Sequence, residues 1–262
     1  MTLPRPLLTA WPRLARRLRA ARRPLLLSDF DGTLAPIRRY FHQARLPKAT
    51  RRLLERIAAG EAVVGVVSGR GVADLEARVG LRGIWYIGSH GYELREPRGR
   101  FRWLATPAER RRIQRAARWL APRLRGLSGV LLDAKPASVA VHYRAAGAAA
   151  ARAAEPVVRE LVARYRGLRL LRGRKVWEVL PEGPGNKWAA VRYVLKRETA
   201  GREGAKDFIV YLGDDIGDES VFKNMKGISV VVGSSSYTAA RYALRSPGEV
   251  RKFLKQWLKT RP

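Results

Sequence analysis

The sequence predicts an α/β fold: a doubly wound parallel sheet interrupted by a smaller α+β module. Short apolar runs alternate with segments of helical periodicity from Leu25 to Gly88, and again from Asn186 to Leu258. Between these stretches the order changes to two hairpin-like pairs and two long helical patterns. Strand-like runs in both stretches end in short polar clusters, and open α/β sheets bind ligands beyond the carboxyl ends of their strands.

Residues 1–23 hold seven arginines and no acid. Trp11, Leu14 and Leu18 recur at spacings of three and four, which predicts a short amphipathic helix, packed on the core or carried as a basic extension. The segment lacks the continuous apolar core of a secretory signal. Leu25–Leu27 predict a buried strand that runs out into Asp29 and Asp31, and Gly32 frees the backbone to turn. Leu46 to Ala59 reads as a helix, with Pro47 near its start, Leu53, Leu54 and Ile57 as its apolar stripe, and Gly60 closing it. A strand over Ala62–Val67 ends in Ser68-Gly69-Arg70, and a helix follows over Val72–Val79. A third strand, Ile84–Gly88, leads into Ser89-His90-Gly91-Tyr92-Glu93.

The inserted pattern starts near an edge strand, Phe101–Leu104. A helix over Pro107–Leu124 turns Ile113, Ala117 and Leu120 inward. Gly129–Ala134 and Ser138–Tyr143 form a first strand pair around Pro136. A helix over Ala145–Tyr165 is interrupted near Pro156. Leu168–Leu171 and Lys175–Leu180 form a second pair, turning at Gly173. These boundaries divide the chain into a core of residues 1–103 and 182–262 and an α+β module of residues 104–181. The parallel pattern resumes with a helix over Asn186–Lys196 and a strand, Phe208–Leu212, leading to Gly213-Asp214-Asp215. A helix over Glu219–Met225, a strand over Ile228–Val232 and a helix over Val250–Leu258 complete it.

The 262 residues are 46% hydrophobic, enough for a sizeable core. The absence of cysteine excludes disulfides, thiolate metal sites and a cysteine nucleophile, and fits a cytoplasmic location. No apolar run approaches the roughly 20 residues of a membrane span. The net charge of +31 attracts polyanions in general, which bears on association more than on chemistry. The arginines are spread along the chain without the interleaved aromatics of a stacking platform. The expected partner is therefore a small acidic molecule, with no specific nucleic acid, for a monomeric protein.

The chemistry follows from the strand ends. Asp29 and Asp31 repel each other there, and a hard cation such as Mg²⁺ relieves that repulsion. A carboxylate beside such a cation is a competent nucleophile toward phosphorus. Ser68 offers a hydroxyl to a phosphate oxygen, and Lys187 brings charge to a helix start. Asp214, Asp215 and Asp218 add carboxylates for the cation. Singly, these residues read as caps, turns or solvated side chains. Their succession at the ends of the predicted strands and at a helix start is what points to one site.

The four clusters resemble, in order, the motifs of the haloacid dehalogenase-like phosphatases. Within that superfamily the chain is most similar to the trehalose-6-phosphate phosphatase family. Asp29-Phe30-Asp31-Gly32-Thr33 and Gly213-Asp214-Asp215-Ile216-Gly217-Asp218-Glu219 carry the core resemblance. His90-Gly91-Tyr92-Glu93, Lys135, His142-Tyr143-Arg144, Lys175-Val176-Trp177-Glu178 and Asn186-Lys187 carry the resemblance to this family. Gly217 stands where the family usually has Thr, and Trp188 where Gly commonly follows the lysine.

The resemblance implies a Rossmann-like haloacid dehalogenase core with an inserted cap and a Mg²⁺ cofactor. Asp29 is then the nucleophile and Asp31 the general acid and base. The metal site draws on Asp29, Asp31, Asp214, Asp215 and Asp218. Ser68, Gly69, Arg70 and Lys187 bind phosphate. His90, Gly91, Glu93, Lys135, His142, Arg144, Lys175, Glu178 and Asn186 bind the sugar. The implied substrate is trehalose 6-phosphate. Sucrose phosphate, mannosyl-3-phosphoglycerate and glucosylglycerol phosphate are the near alternatives, and a nucleic-acid-binding protein or polynucleotide phosphatase is the remote one.

Overall fold

The computed structural model describes residues 3–183, 185–200, 208–234 and 237–261. The chain opens with a two-residue strand, Arg5–Pro6 (β1), and a helix, Leu7–Ala20 (α1). Leu25–Asp29 (β2), Lys48–Ala59 (α2), Val63–Val67 (β3), Val72–Val79 (α3) and Trp85–Gly88 (β4) follow. The chain then turns back through Glu93–Arg95 (β5) and Phe101–Trp103 (β6). The insertion comprises Pro107–Leu124 (α4), Leu131–Ala134 (β7), Val139–His142 (β8), Ala148–Arg164 (α5), Leu168–Gly173 (β9) and Val176–Pro181 (β10). The return consists of Lys187–Thr199 (α6), Ile209–Gly213 (β11), Glu219–Asn224 (α7), Ile228–Val232 (β12), Tyr242–Leu244 (β13) and Pro247–Thr260 (α8).

Among the described residues these strands form two sheets. The larger runs β1-β13-β12-β11-β2-β3-β4-β5-β6, and only its last two pairings are antiparallel. β2 lies between β11 and β3, so its side chains are covered on both faces. Leu26 joins the cluster under α1, α2, α3 and α8, whereas Leu25 and Leu27 join the one under α6 and α7. This explains three leucines in succession: a strand buried on both faces needs no polar alternation.

α1 belongs to that helical layer. Leu7, Trp11, Leu14 and Leu18 are buried, and the Trp11 ring meets Phe253 edge-on at 5.0 Å. α2 starts at Lys48 and not at Leu46, because Pro47 disfavours helical backbone at the residue before it. α5 runs through Pro156 uninterrupted. Pro156 is on the exposed side, where the Arg152 carbonyl it leaves unbonded meets water. α8 begins three residues before the expected start, with Ser246 as its cap and Pro247 at its first position. β1, β5 and β13, of two or three residues each, carry too little periodicity to be read from sequence.

The smaller sheet, β7-β8-β10-β9, is antiparallel throughout. Val139, Val141, Trp177 and Val179 pack against Ile113 and Leu120 of α4 and Val158 and Leu161 of α5. Side chains alternate along a strand, so Glu178, His142 and Asp133 occupy the opposite face. The register sets Asp133, Ala140 and Glu178 in one row, and Leu131, His142 and Val176 in the next. Both chain crossings between the two sheets touch Tyr92. Its carbonyl accepts from Leu104 and Ala105, and its hydroxyl donates to the Pro181 carbonyl at 2.9 Å.

Candidate active site

One pocket lies between the carboxyl ends of β2, β3 and β11 and the polar face of the smaller sheet. At its floor Asp29 ends β2, 5% exposed. Gly32 then turns with φ +87°, and a Cβ there would lie 2.0 Å from Asp214 Oδ2. The glycine is thus required both by the turn and by the approach of Asp214. Lys187, the first residue of α6, donates to Asp29 Oδ1 at 2.6 Å and to Asp218 Oδ1 at 2.7 Å. Asp218 is wholly buried and also accepts from the Tyr211 hydroxyl and from the amides of Asp214 and Asp215.

Carboxylate oxygens of Asp29, Asp214 and Asp218 lie within 4.8 Å of one another. Burial, together with the charges of Asp218 and Asp215, pushes the Asp214 carboxyl up to about 8. Burial likewise pushes Asp29 up, against the pull of Lys187. Lys187 stays protonated because Asp218 and Asp29 outweigh its burial. Three hard oxygen donors share a single ammonium, and a hard divalent cation such as Mg²⁺ would favour the ionised form of all three, so the donor set fits that ion.

Asp31 and Asp215 stand apart from that cluster. The Asp31 carboxylate takes a bidentate pair from Arg70, at 2.6 and 2.9 Å. Arg70 is expected from sequence to bind phosphate, but its guanidinium also donates to Asp74 and to the Phe41 carbonyl. It thereby braces Asp31 while itself lining the pocket. Asp215 caps the 3-10 turn at Ile216–Asp218 and lines the pocket. Ser68 and Gly69 line the pocket floor beside Asp29, as does Lys187.

The roof is a chain of polar side chains. Lys135 donates to the Gly69 carbonyl at 2.9 Å and lies 3.3 Å from Glu178. His90 Nε2 is 3.3 Å from Glu178, and His142 Nε2 is 3.7 Å from Asp133. Burial would raise the Glu178 carboxyl, but Lys135 and His90 hold it down at about 2. Asp133 is lowered too, with His142 and Lys135 overriding its burial. His142 stacks on Phe41, ring centroids 4.4 Å apart. Arg144 lines the mouth and donates to the Arg174 carbonyl.

Four expected sugar-binding residues do not line the pocket. Glu93 is buried, accepting from the Val72 amide and the Ser89 hydroxyl. Asn186 caps α6 by accepting from the Ala189 amide. Gly91 has φ +101°, and a Cβ on it would strike the Asn186 carbonyl at 2.4 Å. Lys175 sits at the β9–β10 hairpin tip with its Nζ 5.8 Å from the Tyr143 ring. Glu93 holds the start of α3 and the loop at Ser89, while Gly91 and Asn186 shape the start of α6 beside Lys187.

The trehalose-phosphatase sequence profile matches residues 27–247. A trehalose-phosphate phosphatase of Mycobacterium marinum is 37% identical over 238 residues, covering 88% of this chain and 60% of its own length. The chain belongs to the trehalose-phosphatase family. Among solved structures, an Aspergillus fumigatus trehalose-6-phosphate phosphatase is 26% identical with TM-score 0.66, covering 98% of this chain and all of the other. The C-terminal domain of the C. albicans trehalose-6-phosphate phosphatase shares the fold with TM-score 0.79 at 23% identity, covering 95% and 96% of the two chains. The core is thus the α/β sheet expected from sequence, a fold shared with a haloacid dehalogenase-like hydrolase from Bacteroides thetaiotaomicron at TM-score 0.63 and 19% identity. The chain spans about 60% of the length of the curated trehalose-phosphate phosphatase it matches.

Within this family frame the two departures are readily accommodated. Trp188 turns away from the site to pack on the cluster under α6. A Cβ at Gly217 would lie 3.7 Å from Lys187 and 3.8 Å from His90 Nδ1, both ordinary contacts. Arg38, Arg39, Phe41, Asp133 and Arg174 also line the pocket and escaped the sequence reading. Asp133 alone had a signal: two residues before Lys135, it shares that residue's face of the strand.

Proposed function

We propose that this protein is a Mg²⁺-dependent phosphatase that hydrolyses trehalose 6-phosphate to trehalose and phosphate, as a monomer in the cytoplasm. The observation that carries this reading is the Lys187 ammonium held between Asp29 and Asp218, beneath a polar roof of Lys135, Glu178 and His142. Residues 104–181 act as the cap.

Asp29 attacks the phosphorus and forms an aspartyl-phosphate. Lys187 and Ser68 hold the phosphoryl oxygens, and Lys187 counters the charge that builds on them. Asp31, braced by Arg70 at the pocket edge, protonates the leaving sugar oxygen and then takes a proton from the water that hydrolyses the intermediate. Asp29, Asp214 and the Asp31 main-chain carbonyl would hold Mg²⁺, with Asp218 and Asp215 orienting that loop; the bound ion supplies positive charge to the transferring phosphoryl group. Glu178, Lys135, His142 and His90 face the sugar and bind its hydroxyls.

The deciding measurement is Mg²⁺-dependent phosphate release from trehalose 6-phosphate, beside sucrose 6-phosphate and glucose 6-phosphate. Preference for trehalose 6-phosphate is the expected result. Preference for another sugar phosphate would retain the chemistry and remove the assignment of the roof. EDTA stops turnover and added Mg²⁺ restores it; turnover persisting in metal-free buffer would rule the cation out. Glu178→Ala lowers kcat/KM for trehalose 6-phosphate by at least about tenfold, or about 1.4 kcal/mol. The same change leaves p-nitrophenyl phosphate, which has no sugar to bind, within about threefold of the parent. Equal losses on both substrates would count against sugar recognition by Glu178.

A further inference from the structure

We propose that the outer face of the α1–α8–α2 layer binds nucleic acid through its phosphate backbone, without reading sequence. α8 packs between α1 and α2, and all three lay their apolar sides on the same core cluster. Their outward sides are cationic. Arg13, Arg16 and Arg19 of α1 and Lys252, Lys255 and Lys259 of α8 are exposed. None of the six contacts a carboxylate among the described residues.

Acids are nearly absent from this layer. No acidic residue precedes Asp29 in the chain. The single acid of α8, Glu249, is held by Arg245, and Glu61, just past α2, is held by Arg261. Glu55 of α2 remains exposed. Basic residues dispersed along the sequence are thus gathered by the fold into one surface. The six cations do not line the phosphatase pocket, so a polyanion on this face leaves the pocket open.

The spacing and composition of the face select the partner. Lys252, Lys255 and Lys259 follow one another at about 5 Å along the helix axis, comparable with the separation of phosphates along a nucleic-acid strand. A helix lying on a membrane inserts apolar side chains between lipids. Here the large apolar residues of both helices, Trp11, Leu14, Phe253 and Trp257, are buried inward. The exposed large hydrophobics include none on α1 or α8. Backbone binding needs only cations, and affinity then falls steeply with salt as counterions are released.

The test is fluorescence anisotropy of a labelled 20-base-pair DNA duplex against the full chain, over a range of KCl concentrations. Six phosphate contacts predict a slope of log K against log salt of about −5, and a Kd of about 1–100 μM at physiological salt. Changing the duplex sequence leaves both values unchanged. The Lys252→Gln, Lys255→Gln, Lys259→Gln triple variant makes the slope shallower by about 2 to 3 and weakens binding at least about tenfold. The Arg13→Gln, Arg16→Gln, Arg19→Gln variant does the same from the neighbouring helix. Phosphate release from p-nitrophenyl phosphate, unchanged in both variants, shows that they fold. The proposal is overturned if both folded variants bind as the parent does, or if the parent fails to bind at physiological salt. It is equally overturned if the parent binds phosphatidylserine-containing vesicles and not the duplex.

Discussion

Asp29→Asn abolishes phosphate release from trehalose 6-phosphate, by about 10⁴-fold or more, a loss of about 5.5 kcal/mol of transition-state stabilisation. The change is nearly isosteric. The amide oxygen still accepts from Lys187, which lies 2.6 Å from the carboxylate it replaces. What disappears is the anionic oxygen that attacks phosphorus, since an amide is a poor nucleophile. The thermal midpoint should move by no more than a few degrees, because burial already disfavours the charged form of Asp29. Steady-state phosphate release and a thermal melt on the same preparation check both halves. Near-normal turnover in a folded variant would remove Asp29 from the chemistry.

Lys187→Met produces the largest expected loss of stability. Methionine fills most of the lysine's volume, so the effect reports charge and not a cavity. Asp29 and the wholly buried Asp218 lose their shared ammonium, and leaving a buried charge uncompensated costs about 3–5 kcal/mol. For a chain of this size that corresponds to a fall in Tm of about 10 °C. Turnover is lost as well. The pH dependence separates this cause from simple misfolding. Without Lys187 nothing offsets the burial that raises Asp29, so the folded state binds a proton that the unfolded state releases above its ordinary carboxylate range. In that window stability falls as pH rises, and the variant recovers part of its loss between pH 7.5 and 5. A deficit that does not change across that range would exclude the charge argument.

Much of the core was legible because its signals are local. Val63–Val67 and Leu25–Leu27 are continuous apolar runs, and each leads into the polar cluster that the fold carries to the pocket. Lys187 and Asp214 could be placed near Asp29 because parallel strands send their carboxyl ends to one edge. What escaped depends on packing between distant segments. Nothing local announces that Arg70 will pair with Asp31, 39 residues earlier, across the pocket they both line. The stack of Phe41 on His142 joins a loop to a strand 101 positions away, a contact without periodicity. Glu93 and Asn186 read as ligand-binding residues by motif, but their oxygens are taken by backbone amides of Val72 and Ala189.

The position of β2 between β3 and β11 also sets an order of events during synthesis. β3 follows β2 by 34 residues, so that pairing forms early. The other edge of β2 has no partner until β11, beyond the entire insertion, leaves the ribosome. Until then the nascent chain presents an apolar strand with free amides and carbonyls, the kind of edge that recruits other chains. Asp29 waits with it, since its lysine and both neighbouring aspartates are translated last. Catalytic competence and relief from aggregation therefore arrive in the same step, when β11 closes the gap.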